Sequence, residues 1–534
     1  MLQNILLYIP LTIIGLWRWS YWIIRVIGAA LYRQEARRIE KSRVIDETMT
    51  LTIVTPVYNE DEALFEEALQ SWIKNGVNEI IAVIDKSNTH HILNFERNYV
   101  PRKDVKCRLL VTPKPGKRAA LCDGIEAATG DLIALVDSDT VWDDKVRSSS
   151  LPFFNDSQMG GVTVAQRISN PDTVSNVLFD MLLWNRYHEE VPFLLGLGRA
   201  YNTLSGRTAI YRREALVNDR YDNVHHLMHE FFMNARAVSG DDKRLSHLIL
   251  EQGWKVAFAH DAVVYTQGLG HARKFYKQRL RWTRNSWRAD LRAVRKGWIF
   301  KYPVLAYFIL DKFVQPFFML LGPTAAVIGV IQKRWLFVGV LVIWWFVSRF
   351  VRLFSYFRHY PNRLAYLPSW ILYSYTNAVM KVYALATILE NSWATRWHKS
   401  RMRRRLVRRW ATVAIGAAGI ACMFFFTVQF VTQTNKQSAV TIDRPAAVSA
   451  NEFTVPASLT TDVPAQPKAR PGTVYPTGVK TYIVQSGDSF SLLSARWNMD
   501  SSTIKKLNDL PVHTVLNPGQ QLLYYTQPTG AANL

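Results

Sequence analysis

Between residues 45 and 270, short apolar runs that end in acids or turn residues alternate with stretches of helical periodicity. LTIVTPVYNE (51–60) predicts a buried strand running into an acidic loop, and EALFEEALQSWI (62–73) an amphipathic helix. NEIIAVIDKS (78–87) predicts a second strand. KRAALCDGIEAATG (117–130) predicts a helix closed by Gly130, and DLIALVDSDT (131–140) a third strand that ends in acids. A further helix is expected at 243–252. Strand and helix in alternation imply a parallel α/β sheet with its ligand groups at the strand C-termini.

Outside that region the apolar runs are longer. Residues 1–32 are apolar except for Arg18 and Arg25, with no basic leader and no small-residue cleavage site, which predicts an uncleaved anchor. Residues 302–353 hold the uncharged runs Phe313–Ile331 and Trp335–Ser348, and Arg349 and Arg352 can snorkel and lengthen the second. They predict a transmembrane hairpin with Gln332-Lys333-Arg334 at its outer tip, a buried core helix being the rival reading for the shorter runs. Ala411–Val431 matches the ~20 residues that cross a bilayer, so 410–431 is expected to be the last span. Residues 271–300 are expected as a helix at the interface. So is 364–392, which follows Arg363 and carries Lys381, Glu390 and scattered aromatics. Residues 432–478, rich in Pro, Thr, Ala, Ser and Val, predict an extended linker, and 480–525 a compact module.

Charge gives this frame an orientation. Lys and Arg number 65 against 42 Asp and Glu, a net +23. Arg33, Arg37, Arg38, Lys41 and Arg43 follow the first anchor, and the basic run Arg396–Arg409 precedes the last span. Both sites are expected to face the cytoplasm, with the tail on the other side. A basic chain could serve nucleic acid, but here much of the charge flanks apolar spans and the aromatics gather with it, so no nucleic-acid partner is expected. Cys107, Cys122 and Cys422 lack metal-ligand spacing, and free thiols are expected at the first two.

The strand ends carry the candidate chemistry. Asp137 and Asp139, spaced i, i+2 after a strand, can share a hard divalent cation with a diphosphate. Asp241 and Asp242 open the helix expected at 243–252, where a carboxylate can cap the helix or act as a base. TPVYNE, Asp85, KPGKRAAL (114–121) and DSDT occur in the order found in the nucleotide-sugar half of family-2 glycosyltransferases, which the chain resembles. LSGRTAIYRRE (204–214), GDDKRLSHLIL (240–250) and QRLRW (278–282) extend the resemblance to membrane-integrated processive synthases, nearer hyaluronan and chitin-oligosaccharide synthases than cellulose synthases. It covers about residues 1–400.

The resemblance implies a GT-A (Rossmann-like) cytosolic domain inserted between transmembrane helices. It implies that Thr55, Pro56, Tyr58, Glu60, Asp85, Lys117, Asp137 and Arg281 bind a UDP-sugar donor. Asp139, with Asp137, would hold Mg²⁺ or Mn²⁺. Asp242 would be the general base beside Asp241, and Gln278, Trp282, Ser205 and Gly206 would frame the acceptor. One residue departs from the pattern: Arg207 stands after Ser-Gly, where members carry Pro or a small residue. Arg284, Trp287 and Arg288 are read as interface anchors.

The tail YIVQSGDSFSLLSARWNMDSSTIKKLNDLPVHTVLNPGQQLLYY (482–525) resembles a LysM module, which implies a small βααβ fold and binding of peptidoglycan or another GlcNAc-containing glycan. Gly487, Asp488, Ser489 and Asn508 are the motif residues expected there.

The implied function is processive, inverting synthesis of a β-linked polysaccharide from UDP-sugar, passed across a bacterial cytoplasmic membrane. The transferase domain would be cytoplasmic and the LysM module periplasmic or extracellular. Two alternatives stand: transfer of one sugar to a lipid acceptor, and a wall-binding LysM protein with an inactive transferase domain.

Overall fold

A computed structural model describes residues 9–42, 48–388 and 479–525, apart from short stretches at 114–115, 170, 219–221, 233–234, 237–239, 486–487, 511–515 and 518. The expected last span at 410–431, the linker at 432–478, the basic run at 396–409 and Gly487 lie outside the described residues. The chain divides into two compact units, Met1–Asp443 and Arg444–Leu534.

The first unit is built on an eight-stranded sheet of order β3-β2-β1-β4-β7-β6-β10-β5. Its strands are β1 (Leu51–Val57), β2 (Glu79–Asp85), β3 (Lys106–Thr112), β4 (Leu132–Val136), β5 (Val141–Trp142), β6 (Met159–Ile168), β7 (Thr208–Arg212) and β10 (Lys255–Thr266). A separate ribbon joins β8 (Phe231–Phe232) to β9 (Ala235–Arg236). β1, β2, β3 and β4 pair in parallel, and β6 pairs in parallel with β10. β7 is antiparallel to both β4 and β6 and so joins the two parallel halves. The expected parallel sheet is therefore a mixed one. β1, β2 and β4 are buried along almost their whole length, which is why they read as continuous apolar runs.

β3 is an edge strand that the apolar pattern does not reveal. Lys106 and Arg108 interrupt the run, and both pair with the buried carboxylate of Glu79, at 3.0 and 3.4 Å. Charged residues on an edge discourage pairing with another chain.

Helix α1 (Ile9–Ser42) is longer than the expected anchor. Its second half leaves the apolar stretch and docks on the sheet unit. Tyr32 is buried and its hydroxyl donates to the Phe258 carbonyl and accepts from the Phe258 amide, while Glu40 accepts from the His260 amide. α2 (Glu62–Lys74) is capped by Asp61, whose side chain accepts from the Leu64 amide at 3.1 Å. α3 (Lys117–Ala127) ends three residues short of Gly130, which packs against Thr52 and donates to its hydroxyl. A Cβ on Gly124 would lie 2.3 Å from Val54 Cγ1, so α3 presses directly onto β1. That contact sets Lys117, at the head of α3, over the sheet's C-terminal edge.

The remaining helices form a second layer. α4 (Val174–Asn185) joins α5 (Val191–Gly198) through a π-helical turn at Arg186–Glu190. α6 is Asp241–Glu251 and α7 is Ala272–Lys296. α8 (Pro303–Ile331) and α9 (Trp335–Arg352) are the two helices, among the described residues, that are long and apolar enough to cross a membrane. α10 (Leu367–Ala386) packs on α7, α8 and α9. Arg18 of α1 forms an ion pair with Asp311 of α8 at 2.6 Å, so the first helix and the hairpin stand side by side. Arg349, expected to snorkel, instead turns inward, bonding Tyr375 of α10 at 3.3 Å.

The second unit pairs β11 (Lys480–Ile483) antiparallel with β12 (Gln521–Tyr524) around α11 (Phe490–Trp497) and α12 (Ser501–Leu507). Leu493, Trp497, Ile504 and Leu522 fill its core. This is the βααβ arrangement expected from the tail.

Candidate active site

β1, β2 and β4 end at the same edge of the sheet, so their C-terminal residues converge. Thr55 and Pro56 lie in β1. Tyr58 is half exposed beyond it, Glu60 follows, and Asp85 closes β2, accepting from the Ser87 amide at 2.9 Å. Asp137 and Asp139 occupy the turn after β4. Lys117 reaches this turn from α3, pairing with Asp137 and lying 3.2 Å from Asp241 Oδ2. One lysine thus joins the strand-end acids to the head of α6.

Asp241 and Asp242 occupy the first turn of α6, after Gly240. Asp242 Oδ1 accepts from the Lys243 amide at 2.7 Å. Two glycines give its carboxyl room: a Cβ on Gly240 would lie 2.4 Å from Asp242 Oδ1, and one on Gly206 would lie 3.3 Å from Asp242 Cβ. Electrostatics separate the two acids. Burial and the Asp241 charge push the Asp242 carboxyl above the usual range. Burial also opposes the Asp241 charge, but Lys117 and Arg118 outweigh it and hold that carboxyl low. Neighbouring carboxyls driven apart in this way suit different roles, with Asp242 poised to take a proton.

Glu60 faces the same acids. Burial, then the Asp139 charge, push its carboxyl up. The Arg281 guanidinium lies within the field of Asp241, Asp137 and Asp242. Gln278 sits one helical turn earlier on α7, and among the described residues its buried Oε1 has no hydrogen-bond partner, nor has Thr55 Oγ1. Trp282 packs its ring against Phe179, centroids 5.7 Å apart, and is half buried. Ser205 is buried, and its hydroxyl accepts from the Arg207 amide at 3.2 Å, so it shapes the turn that carries Gly206.

The residue whose part was not foreseen is Arg207. Its guanidinium pairs with Asp139 and lies 3.5 Å from Asp137 Oδ2. Register explains this placement: β4 and β7 pair Val136 with Thr208, and the Asp137 amide bonds the Arg207 carbonyl, so position 207 lies across from Asp137. The signal was the departure itself, an arginine entering a strand beside two acids.

Arg284, Trp287 and Arg288 are not interface anchors. Arg284 donates to Thr387 Oγ1 at 2.7 Å, and the Trp287 indole donates to the Lys381 carbonyl and stacks on Phe313. Arg288 donates to the Ile388 carbonyl at 3.0 Å. All three are buried, because α10 and its C-terminal turn cover that face of α7.

In the second unit the motif residues hold the fold. Asp488 accepts from the Tyr482 hydroxyl at 2.9 Å and the Gln485 amide at 2.8 Å. Ser489 caps α11, and Asn508 bonds both ways with the Leu523 backbone of β12. Their side chains all make hydrogen bonds within the module.

Residues 49–285 match the family model described as glycosyltransferase like family 2, and residues 482–523 match the LysM domain. A type 2 glycosyltransferase of Zymoseptoria tritici is 24% identical over 359 residues, covering 65% of this chain and 75% of that protein. An N-acetylglucosaminyltransferase of Rhizobium meliloti is 26% identical over 371 residues, covering 65% of this chain and 81% of that protein. Among solved structures, a mannosyltransferase of Pyrobaculum calidifontis in complex with GDP-Man and Mn²⁺ aligns with a TM-score of 0.41 and 18% identity, over 65% of this chain and 95% of its own. The chain carries a family-2 glycosyltransferase domain and a C-terminal LysM domain.

Proposed function

We propose that the chain is a membrane-embedded, inverting transferase that extends a β-linked polysaccharide from a UDP-sugar. Relatives named N-acetylglucosaminyltransferase make UDP-N-acetylglucosamine the first donor to test. The observation that carries the reading is the placement of Asp242. It is a carboxyl with a raised pKa, kept accessible by Gly206 and Gly240, beside acids and bases suited to a nucleotide diphosphate.

Each residue then has a task. Tyr58 presents an exposed ring to the nucleobase, and Asp85 lies beside it at the end of β2. Arg281 and Lys117 face the diphosphate. Asp242 takes the proton from the acceptor hydroxyl as that oxygen attacks the anomeric carbon from the side opposite the leaving group. Gln278 offers its unpartnered Oε1 to an acceptor hydroxyl.

The site already holds positive charge, since Arg207 and Lys117 pair with Asp139 and Asp137, and these acids have the chemistry to hold a cation. Among the described residues no three His, Cys, Asp or Glu side chains form a cage. Asp137 and Asp139 would hold Mg²⁺ or Mn²⁺ together with the donor's own oxygens. Such an ion would neutralise charge on the departing diphosphate.

Exposed apolar side chains support the membrane setting. Leu16, Ile23 and Ile27 of α1, Val314 and Val327 of α8, Leu336, Val340 and Ile343 of α9, and Leu372 and Val379 of α10 are all exposed. Soluble surfaces rarely carry so large an apolar patch. With the basic residues of the second half of α1 on the cytoplasmic side, the transferase domain is cytoplasmic. The tip at Gln332–Arg334 and the LysM module are then outside, where that module meets peptidoglycan or another GlcNAc-containing glycan.

Purified Asp242→Asn protein, given labelled UDP-N-acetylglucosamine with Mg²⁺ or Mn²⁺, should lose about 10²–10⁴-fold in transfer rate. Unchanged synthesis removes Asp242 as base. Sizing the wild-type product tests processivity, since a single added sugar on lipid contradicts polymer synthesis.

A further inference from the structure

Arg207 is the cation that pairs with Asp139 and also reaches Asp137, which Lys117 holds more closely, and it is kept there from its own strand. Its amide bonds Ser205 Oγ, its carbonyl accepts from the Asp137 amide and the Thr208 hydroxyl, and its guanidinium spans from Asp139 to Asp137. The backbone at 207 is thus fixed while the long side chain beyond it can turn. The guanidinium occupies the position in which the two carboxylates would share a metal ion. Glu60 adds to its field from β1's end. A planar, permanently charged fork suits either of two oxygen partners there, a pair of carboxylates or a diphosphate.

We infer that Arg207 is a resident counter-cation of the donor site. In the donor-free enzyme it bridges Asp137 and Asp139 and competes with the divalent ion. When the nucleotide diphosphate enters, its guanidinium leaves the carboxylates for the diphosphate oxygens, which frees Asp139 for the metal and leaves Asp137 with Lys117 alone. Metal and donor binding are thereby coupled: each lowers the cost of the other, and the metal binds poorly alone. This inference rests on the proposed metal–diphosphate reading of Asp137 and Asp139.

The test uses full-length protein in detergent with two separate probes, Mn²⁺ alone and UDP alone in chelator. Free Mn²⁺ is followed by electron paramagnetic resonance and UDP by equilibrium dialysis. Arg207→Ala should bind Mn²⁺ about tenfold more tightly than wild type, a change of about 1.4 kcal/mol, because the competitor is gone. It should bind metal-free UDP more weakly by a similar factor, because a diphosphate partner is gone. The stimulation of Mn²⁺ binding by UDP, present in wild type, should shrink. Arg207→Lys keeps the charge without the fork and should fall between the two. A structural brace would behave differently: loss of both affinities in Arg207→Ala, or no change in either, overturns the inference. Wild type that binds neither Mn²⁺ nor UDP, even together, removes the metal–diphosphate reading itself along with it. That failure is distinguishable because it precedes any substitution.

Discussion

In the proposed reaction the acid that accepts a proton, Asp242, and the acid that stays charged, Asp241, are adjacent at the head of α6. Asp242 can work only when ionised, so a raised pKa means that activity is lost as pH falls through a value above the ordinary ~3.9 of aspartate. Part of that rise comes from Asp241, which Lys117 keeps charged at 3.2 Å. Removing the like charge with Asp241→Asn should lower the Asp242 pKa and move the acid limb of the kcat/KM profile to lower pH. A limb that stays in place or moves upward would show that Asp241 does not set it. The motif GDD made this pair visible in sequence, but not the division of labour, which depends on where Lys117 reaches. Arg207 likewise looked like a mere departure from a pattern, since its partner Asp137 is adjacent only through the β4–β7 register.

Among elements, α7 shows best what sequence could and could not reveal. Its charge and tryptophans mark an amphipathic helix next to the long apolar helices α8 and α9, and the motif singled out Gln278 and Arg281 as candidate site residues. Which partner covers the other face was not legible, because an arginine donating to a buried carbonyl has the same sequence signature as one facing a head group. Burial decides: Trp287 is 2% exposed, stacked on Phe313 of α8 at 4.5 Å and bonded to the Lys381 carbonyl of α10. Trp287→Ala should cost about 3–5 kcal/mol and lower the thermal transition in detergent. Arg295→Ala, at an exposed position of the same helix, should leave the transition in place. Equal transitions for the two variants would mean that this stack does not hold α7. The strands divide on similar grounds. β1, β2 and β4 announce themselves by unbroken apolar runs, whereas the edge strand β3 hides behind Lys106 and Arg108.

For the whole molecule, the exposed apolar side chains of α1, α8, α9 and α10 and the charges around them point to one arrangement across a bilayer. Two consequences can be measured separately in sealed right-side-out vesicles, with Cys107, Cys122 and Cys422 replaced by serine. Lys333→Cys, at the tip between α8 and α9, should react with a membrane-impermeant maleimide, while Glu66→Cys on α2 should react only after the vesicles are opened. Equal reaction of the two without opening would contradict a hairpin that crosses the membrane. Ser501→Cys in the LysM module distinguishes how the chain continues. α10 follows α7 from the Phe275–Tyr373 contact to the Arg288–Ile388 bond, and the proposed topology accordingly keeps both its ends on the transferase side. With the span expected from sequence at 410–431 as a further crossing, the tail is outside and Ser501→Cys should react together with Lys333→Cys. Had α10 crossed as well, the tail would return to the cytoplasm and Ser501→Cys would behave like Glu66→Cys. That outcome would separate the LysM module from any glycan outside the cell and leave it facing the same compartment as the sugar donor.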